Sequence, residues 1–127
     1  MKLVPLGTSG IQVSPLCLGC MSFGDPASKM HQWTLNPEET DAIVARALEH
    51  GINFFDTANV YSAGTSEEYL AKALNKHITR DKVVIATKVY FNEGHLSREA
   101  IQREIEGSLR RLKTDYVDLY IIHRFDY

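Results

Sequence analysis

The sequence has little of several features that mark specialised classes of protein. Only two of its 127 residues are cysteine, and no apolar run approaches the roughly 20 residues that a membrane-spanning helix needs. The first residues, Met1-Lys2-Leu3-Val4-Pro5, lack the apolar core of a secretory signal. These absences argue against a secreted protein and a membrane protein, and they predict a soluble protein in the cytoplasm.

The sequence also lacks an excess of charge of either sign. Its 14 basic and 16 acidic side chains are spread along the chain and give a net charge of −2. Because there is no basic patch, neither nucleic-acid binding nor polybasic membrane binding is expected. Hydrophobic residues make up 44% of the chain, as in an average globular protein, and its length suffices for one domain with its own core.

The two cysteines, Cys17 and Cys20, are spaced as a C-x-x-C motif. A reactive dithiol of the thioredoxin type lies at a helix N-terminus, whose dipole stabilises the thiolate. Here Cys20 is followed by Met21-Ser22-Phe23-Gly24-Asp25-Pro26, which is a poor start for a helix. A zinc site would need two further ligands, and the five histidines offer no pair with suitable spacing. We therefore predict that both thiols are ordinary residues at a strand end and that the chain has no metal site.

The chain is expected to begin with a β-hairpin. Residues 3–6 and 11–13 are short strand candidates, and they flank the turn sequence Gly7-Thr8-Ser9-Gly10. Another short strand is predicted over residues 15–18. A long loop should then extend from Gly19 to about Leu35.

Three helices are predicted after this loop, each with a start signal. Asn36 can cap the first helix, which Gly51 would end, and Ser97 can cap the third. The second helix is expected to follow Thr65, with Glu68 completing a capping box. The apolar positions of the three helices, with His77 at the border of the second, are Ile43, Val44, Ala47, Leu48, Leu70, Ala73, Leu74, Ile101, Ile105, Leu109 and Leu112.

Three further strands alternate with these helices, at residues 52–56, 83–88 and 117–122. The middle one is a run of mostly β-branched residues, typical of a parallel strand covered on both faces. This alternation predicts an α/β fold with a parallel sheet and right-handed crossovers. A (β/α)8 barrel has eight strands in about 250 residues, whereas this chain supplies four and leaves two open edges. The chain is therefore part of a barrel, an assembly of half-barrels or a smaller open fold.

Polar residues stand where the predicted parallel strands end. Asp56, Lys88 and His123 each end a strand, and Tyr61 lies on the loop after Asp56. Because functional sites form at this edge of parallel sheets, we expect the four side chains to meet. An ammonium paired with Asp56 would stabilise the phenolate of Tyr61, and an imidazole could orient a substrate oxygen. Such a group could protonate a carbonyl oxygen during hydride transfer, but the hydride itself requires a cofactor.

Several segments match one known pattern in order. They are residues 5–10, 13–14, 18–24, 61–62, 86–88, 108–112 and 115–119, together with Gly51-Ile52-Asn53-Phe54-Phe55-Asp56-Thr57-Ala58 and His123. On these segments the chain resembles the aldo-keto reductase superfamily, most closely the branch of bacterial oxidoreductases and potassium-channel β-subunits. The resemblance covers the whole chain and implies the N-terminal half of a (β/α)8 TIM barrel preceded by a β-hairpin cap, with four parallel strands and three helices. It thus implies one partial barrel domain, residues 1–127, truncated after the fourth barrel strand.

The resemblance also implies a role for each residue of the polar group. Tyr61 is similar to the family's general acid, and Lys88 and Asp56 to the pair that tunes it. His123 is similar to the imidazole that orients the substrate. All four positions of the family's catalytic tetrad are thus present in the sequence.

The cofactor implied by the resemblance is NADPH, with NADH not excluded. Gly19, Cys20 and Met21, together with Asp56, match the family's contact to the nicotinamide ribose. Trp33, in the long first loop, would line the substrate opening or simply pack within that loop. In the family, the second half of the barrel holds the carboxamide, the pyrophosphate and the 2′-phosphate, and this chain does not contain that half.

The leading function implied is the NAD(P)H-dependent reduction of an aldehyde or ketone to an alcohol, with the isolated chain weak or inactive. The expected partner is a small-molecule carbonyl compound, without nucleic acid or membrane. A non-catalytic binding or regulatory module is an alternative, since channel β-subunits use this fold for an interaction. A third possibility is a half-barrel that self-associates through its open sheet edges.

Overall fold

A computed structural model of the chain describes residues 1–127. A two-stranded antiparallel hairpin, formed by β1 (Val4–Pro5) and β2 (Gln12–Val13), precedes a four-stranded parallel sheet. The strands of this sheet lie in chain order as β3 (Leu18–Gly19), β4 (Phe54–Asp56), β5 (Val84–Val89) and β6 (Leu119–Ile122). The helices are α1 (Pro37–Glu49), α2 (Thr65–His77) and α3 (Arg98–Leu112). The predicted α/β architecture is confirmed.

The strand β3 is shorter than predicted, because the residues before it bond to a side chain. The amide of Ser14 donates to Oδ1 of Asn53 at 2.7 Å, and the amide of Asn53 donates to Oγ of Ser14 at 3.1 Å. Pro15 then offers no amide for a strand ladder. Regular pairing therefore begins only at Leu18.

The first helix begins and ends as predicted. Oδ1 of Asn36 accepts a hydrogen bond from the amide of Glu39 at 2.8 Å, and Pro37 occupies the first helical position, where a missing amide costs nothing. After the helix, Gly51 adopts a φ of +85°, a conformation that a side chain would disfavour. The polar and conformational signals at both ends of α1 are thus sufficient to set its length.

The predicted start of α2 is wrong in its capping residue. Thr65 is the first helical residue, preceded by Gly64 at a φ of +94°, and it does not form a capping box with Glu68. Its hydroxyl instead donates to the carbonyl of Ser62 at 2.6 Å and accepts from the amide of Asp25 at 2.9 Å. Thr65 therefore ties two loops together, at the cost of its role as a cap.

Two other expectations for the helices need correction. His77 is not part of the buried stripe of α2, because its Nε2 lies 2.9 Å from Asp41 at the surface. Ser97 caps α3 as predicted, but Ile101 is 36% exposed. The buried residues of α3 are Leu112, as predicted, and the small residues Ala100, Gly107 and Ser108, which allow close packing.

The hydrophobic core lies between the sheet and the helices. Phe55 of β4 and Ile85 of β5 pack against Val44, Leu70 and Leu112 from the three helices. The last strand, β6, is only partly covered along its length. None of the helices has the length and apolar character needed to cross a membrane.

An ion pair ties β5 to β6 at their N-terminal ends. Nη2 of Arg80 lies 2.8 Å from Oδ2 of Asp118, and the same oxygen accepts the amide of Ile85 at 2.8 Å. Nη1 of Arg80 also donates to the carbonyl of Val83 at 2.9 Å. These bonds fix the N-terminal ends of β5 and β6 relative to each other. They therefore also set which residues of the two strands lie side by side at the C-terminal ends.

Replacing Thr40 by valine is expected to stabilise the chain. The side chain of Thr40 in α1 is fully buried, and its hydroxyl has no hydrogen-bond partner. Thr40→Val removes this unpaired group at nearly equal helix propensity, so the free energy of unfolding should rise by about 1 kcal/mol. Urea unfolding measures the change as a higher midpoint at constant slope. In contrast, Thr57→Val should lower the midpoint, because the Thr57 hydroxyl bonds to Ser66; a lower midpoint for Thr40→Val would contradict the prediction.

Candidate active site

The register of the sheet places three polar residues on one face at its C-terminal edge. Asp56 pairs with Ala86, two residues before Lys88, and Lys88 pairs with Ile121, two residues before His123. Because side chains alternate between faces, a step of two residues keeps the same face. The side chains of Asp56, Lys88 and His123 therefore lie on the same face of the sheet, each at the end of the next strand.

The ammonium of Lys88 connects the site. Its Nζ donates to Oδ2 of Asp56 at 2.7 Å, to the carbonyl of Thr57 at 2.8 Å and to the hydroxyl oxygen of Tyr61 at 3.0 Å. An ammonium has three donors, and all three are used. Only 12% of the Lys88 side chain is exposed, so these protein partners replace most of its contact with water.

The surroundings of Lys88 keep it charged. Burial alone lowers the pKa of a lysine, but the hydrogen bonds to Asp56 and Tyr61 and the negative charge of Asp56 act in the opposite direction and raise the pKa of Lys88 above its usual 10.5. The phenol oxygen of Tyr61 thus faces a permanent positive charge at neutral pH.

The turn that carries Tyr61 has an unusual backbone. Ser62 and Ala63 adopt φ values of +47° and +55°, and left-handed conformations cost non-glycine residues roughly 1–2 kcal/mol each. Gly24 packs directly on this turn, since a Cβ at Gly24 would overlap the side chain of Ser62. The close approach of Gly24, together with the bond from Thr65 to the Ser62 carbonyl, holds the strained turn beside the phenol.

His123 lies edge-on to two aromatic rings. Its ring centroid is 5.6 Å from that of Tyr61 and 5.1 Å from that of Phe91, both in perpendicular geometry. Burial, and then the positive charge of Lys88, lower the pKa of His123 below its ordinary value, against the opposing charge of Asp56. The imidazole is therefore neutral at neutral pH, which leaves it a hydrogen-bond donor without a charge.

The end of β3 and the residues that follow it offer an open surface next to Asp56. Gly19 pairs with Asp56, and a Cβ built on Gly19 would meet no atom within 4 Å. The amide of Cys20 donates to the carbonyl of Asp56 at 2.8 Å, while the Cys20 side chain is fully buried. Met21 is 42% exposed. A ligand could thus contact the backbone of Gly19, the side chain of Met21 and the carboxylate of Asp56, but not the thiol of Cys20.

Neither cysteine is a reactive thiolate. Cys17 is exposed and Cys20 buried, and they form no disulfide. Burial, and next the charge of Asp56, raise the pKa of Cys17 to about 11, and the same causes raise that of Cys20. Both thiols are protonated at neutral pH, as expected for ordinary residues near a strand.

Trp33 is not brought into contact with the rings of the site. Its indole stacks on His31 at a centroid distance of 4.1 Å, in the loop before α1. The aromatic neighbour of His123 that the sequence did not reveal is Phe91, three positions after Lys88 on the loop that follows β5. The only feature of the sequence that could have indicated a role for Phe91 is its place after the C-terminal end of a parallel strand. The carbonyl of Thr57 was missed as well, because backbone acceptors leave no trace in residue types.

The fold and the cluster together define the class to which the chain belongs. It is an α/β protein with an open parallel sheet, whose strand ends hold a lysine between a carboxylate and a phenol. The sequence model of the aldo/keto reductase family matches residues 15–127, nearly the entire chain. The chain belongs to the aldo/keto reductase family.

Individual relatives match over most of this chain but over less than half of their own length. Versiconal hemiacetal acetate reductase of Aspergillus parasiticus is 40% identical, covering 99% of this chain and 43% of that protein. The holo form of an aldo-keto reductase from Bacillus halodurans is 38% identical with a TM-score of 0.76, covering 94% of this chain and 39% of that one. An aldo-keto reductase from Klebsiella pneumoniae in complex with NADPH is 34% identical with a TM-score of 0.74, covering 91% and 37%. The four strands and three helices thus correspond to part of a TIM barrel.

The lowered pKa of His123 predicts a pH dependence of stability. The folded chain binds this proton less readily than the unfolded chain, whose histidine keeps the ordinary value of 6.5. The resulting stabilisation is present above pH 6.5 and is lost as the pH falls through the lower folded value. Urea unfolding from about pH 8 to about pH 5 should therefore show a larger loss of stability for the wild type than for His123→Asn, which has no titrating group at this position. Equal losses in the two proteins would contradict this assignment.

Proposed function

We propose that this chain carries the proton-transfer residues for the NAD(P)H-dependent reduction of an aldehyde or ketone to an alcohol. The observation that carries the proposal is the Lys88 ammonium, which contacts both the Asp56 carboxylate and the Tyr61 phenol. Family membership supports it, as does the NADPH bound in the Klebsiella pneumoniae relative. The proposal concerns the activity of the whole protein, because the relatives are more than twice as long as the matched region.

In this proposal Tyr61 is the general acid. When a hydride adds to the carbonyl carbon, the electron pair of the C=O bond moves to oxygen, and that oxygen takes the phenol proton of Tyr61. The phenolate left behind is stabilised by Lys88 at 3.0 Å. Asp56 keeps Lys88 charged and in place, so that the phenolate always has its counter-ion.

His123 would orient the substrate. Its ring stands edge-on to that of Tyr61, with the ring centroids 5.6 Å apart, so a carbonyl oxygen that accepts from the phenol would lie close to the imidazole as well. A neutral imidazole can donate one hydrogen bond to this oxygen without competing with Lys88 for the phenolate. Phe91 would form an apolar wall next to His123, and Trp33 stays a proposed substrate contact at the opening.

The residues next to Asp56 fit one part of a nicotinamide cofactor. Gly19 leaves open space, Met21 is exposed, and the Cys20 backbone and the Asp56 carboxylate complete a surface that would hold the nicotinamide ribose. When bound, NADPH supplies the hydride. NADH is not excluded, because these residues do not contact the 2′-phosphate in the proposed arrangement. In this arrangement the four residues would hold the ribose but no phosphate group of the cofactor. We therefore expect the 127-residue chain on its own to bind NADPH weakly.

The role of Tyr61 can be tested by removing its hydroxyl. In any assembly of the chain that reduces a carbonyl compound, Tyr61→Phe should lower the rate by about 10²–10⁴-fold while leaving NADPH binding unchanged. Tyr69→Phe is a matched control, because the Tyr69 phenol makes no hydrogen bond and lies in α2 outside the site. NADPH oxidation reports the rate, and a fluorescence titration with NADPH reports binding. Wild-type turnover in Tyr61→Phe would rule out Tyr61 as the acid, and no binding by the wild type would favour a non-catalytic role for the isolated chain.

The open edge of the sheet favours a second candidate, a half-barrel that pairs with another copy. The parallel sheet ends at β6, whose last residue, Ile122, is 62% exposed. An unpaired strand edge with apolar side chains is a template for pairing with another chain. Two copies joined in this way would cover these edges and display two sets of the polar cluster.

Solution mass separates this candidate from the others. We expect light scattering to give a mass above that of one 14.3 kDa chain, rising with concentration. Ile122→Lys should shift the population towards the monomer, because an edge lysine blocks strand pairing. Ile101→Lys on the exposed side of α3 is the matched control and should leave the mass unchanged. A sharp, concentration-independent monomer with cooperative melting would contradict self-association.

A further inference from the structure

The first turn of α2 contains two buried polar residues that the proposed reaction does not use. Ser66 and Glu67 are both completely inaccessible to solvent. Burying a hydroxyl or a carboxylate is costly unless each group is hydrogen-bonded. Both are, and three of their four partners, Cys20, Thr57 and Thr87, lie at the ends of the strands that form the site.

Ser66 links the ends of β3 and β4. Its Oγ donates to the carbonyl of Cys20 at 2.6 Å and lies 2.9 Å from Oγ1 of Thr57. Because Ser66 has a single hydroxyl proton, the Thr57 hydroxyl must be the donor in the second bond. The carbonyl of the same Thr57 accepts from Nζ of Lys88. Ser66 therefore bonds to the side chain of Thr57, whose backbone carbonyl accepts a hydrogen bond from the ammonium of Lys88.

Glu67 holds β5 from the helix side. Its Oε2 accepts from Oγ1 of Thr87 at 2.8 Å, and its Oε1 accepts from Nε of Arg111 in α3 at 2.7 Å. Thr87 directly precedes Lys88, and neighbouring side chains of a strand point to opposite faces. Glu67 therefore fixes β5 at Thr87, on the face of the sheet opposite to the site. The next residue, Lys88, points to the face that carries the site.

We propose that Ser66 and Glu67 are positioning residues for Lys88. Together they fix the strand ends on both sides of the ammonium, so that it stays within hydrogen-bond distance of Asp56, Thr57 and Tyr61. The significance for catalysis rests on the proposed function, but the position of the ammonium does not and can be measured without turnover. If the two residues served only to attach α2 to the sheet, the state of Lys88 would not depend on them.

The test removes single hydroxyl groups and follows Lys88. Thr87→Val deletes the donor to Glu67, Thr87→Ser keeps it, and Ser66→Ala deletes the link to Thr57. Thr40→Val is the matched control, because Thr40 is equally buried but its hydroxyl has no partner. The pKa of Lys88 is measured by NMR titration of the lysine side chains, with the signal assigned from its loss in Lys88→Met. The ionisable groups that act on Lys88 or that its charge affects are Asp56, Tyr61, His123, Cys17 and Cys20, and all of them stay in place.

Thr87→Val and Ser66→Ala should each lower the pKa of Lys88 by about half a unit or more, since a displaced ammonium loses its partners but stays buried. Thr87→Ser and Thr40→Val should leave it unchanged. If Thr87→Val and Ser66→Ala lower the unfolding midpoint but leave the pKa of Lys88 unaltered, the two residues are structural only and the proposal is overturned. If one of these two variants fails to fold, the pKa of Lys88 in the other variant still tests the proposal.

Turnover distinguishes this inference from the proposed function. In an assembly that reduces a carbonyl compound, Thr87→Val should lower kcat more than it raises KM, and Thr87→Ser should restore the wild-type value. A response of Lys88 in the NMR titration without turnover in any protein would support the positioning role while contradicting the proposed activity. Turnover that is insensitive to Thr87→Val, together with an unaltered pKa of Lys88, would leave the activity standing and reject the positioning role.

Discussion

The ion pair between Lys88 and Asp56 is the interaction on which the rest of the site depends. Its partners are 2.7 Å apart, and Lys88 is too well covered to be solvated by water alone. Removing Asp56 would leave a largely buried ammonium without its counter-charge, which is far more costly than losing a surface pair. With the pair in place, the remaining donors of Lys88 reach Thr57 and Tyr61. The bond that makes burial of the charge acceptable therefore also directs this charge towards the phenol.

The pair keeps its geometry because the strands that carry it are held at both ends. At the N-terminal ends, Asn53 fixes β4 through its two bonds with Ser14. There, Arg80 and Asp118 also fix β5 against β6. At the C-terminal ends, Ser66 and Glu67 bond to the residues beside Asp56 and Lys88. Between these two levels the sheet is apolar and closely packed, so it offers no alternative register. A cluster whose distances depend on the level of each strand needs this double restraint.

The positions that the sequence predicted correctly are those determined by local chemistry. A residue such as Asn36 caps a helix through its own side chain. Asp56 ends its strand and Lys88 lies one residue before the end of β5, and the apolar runs of both strands are visible in the sequence. Thr65 was misjudged because the partners of its hydroxyl come from two loops whose path depends on the whole fold. The left-handed turn at Ser62 could not be foreseen either, since its backbone is held by packing from a distant glycine rather than by its own residue types.

The polar cluster and the walls of the candidate site have different structural requirements. Lys88 is shielded by residues of this chain, and its three donors bond to Asp56, Thr57 and Tyr61. In contrast, Met21 and Phe91, next to the two ends of the cluster, are both exposed. A hydride transfer needs a site from which water is excluded, because the bonds that stabilise charge are stronger there. In the proposed function, the described residues therefore supply the proton donor, and further protein surface, from a longer chain or from a second copy, would enclose cofactor and substrate.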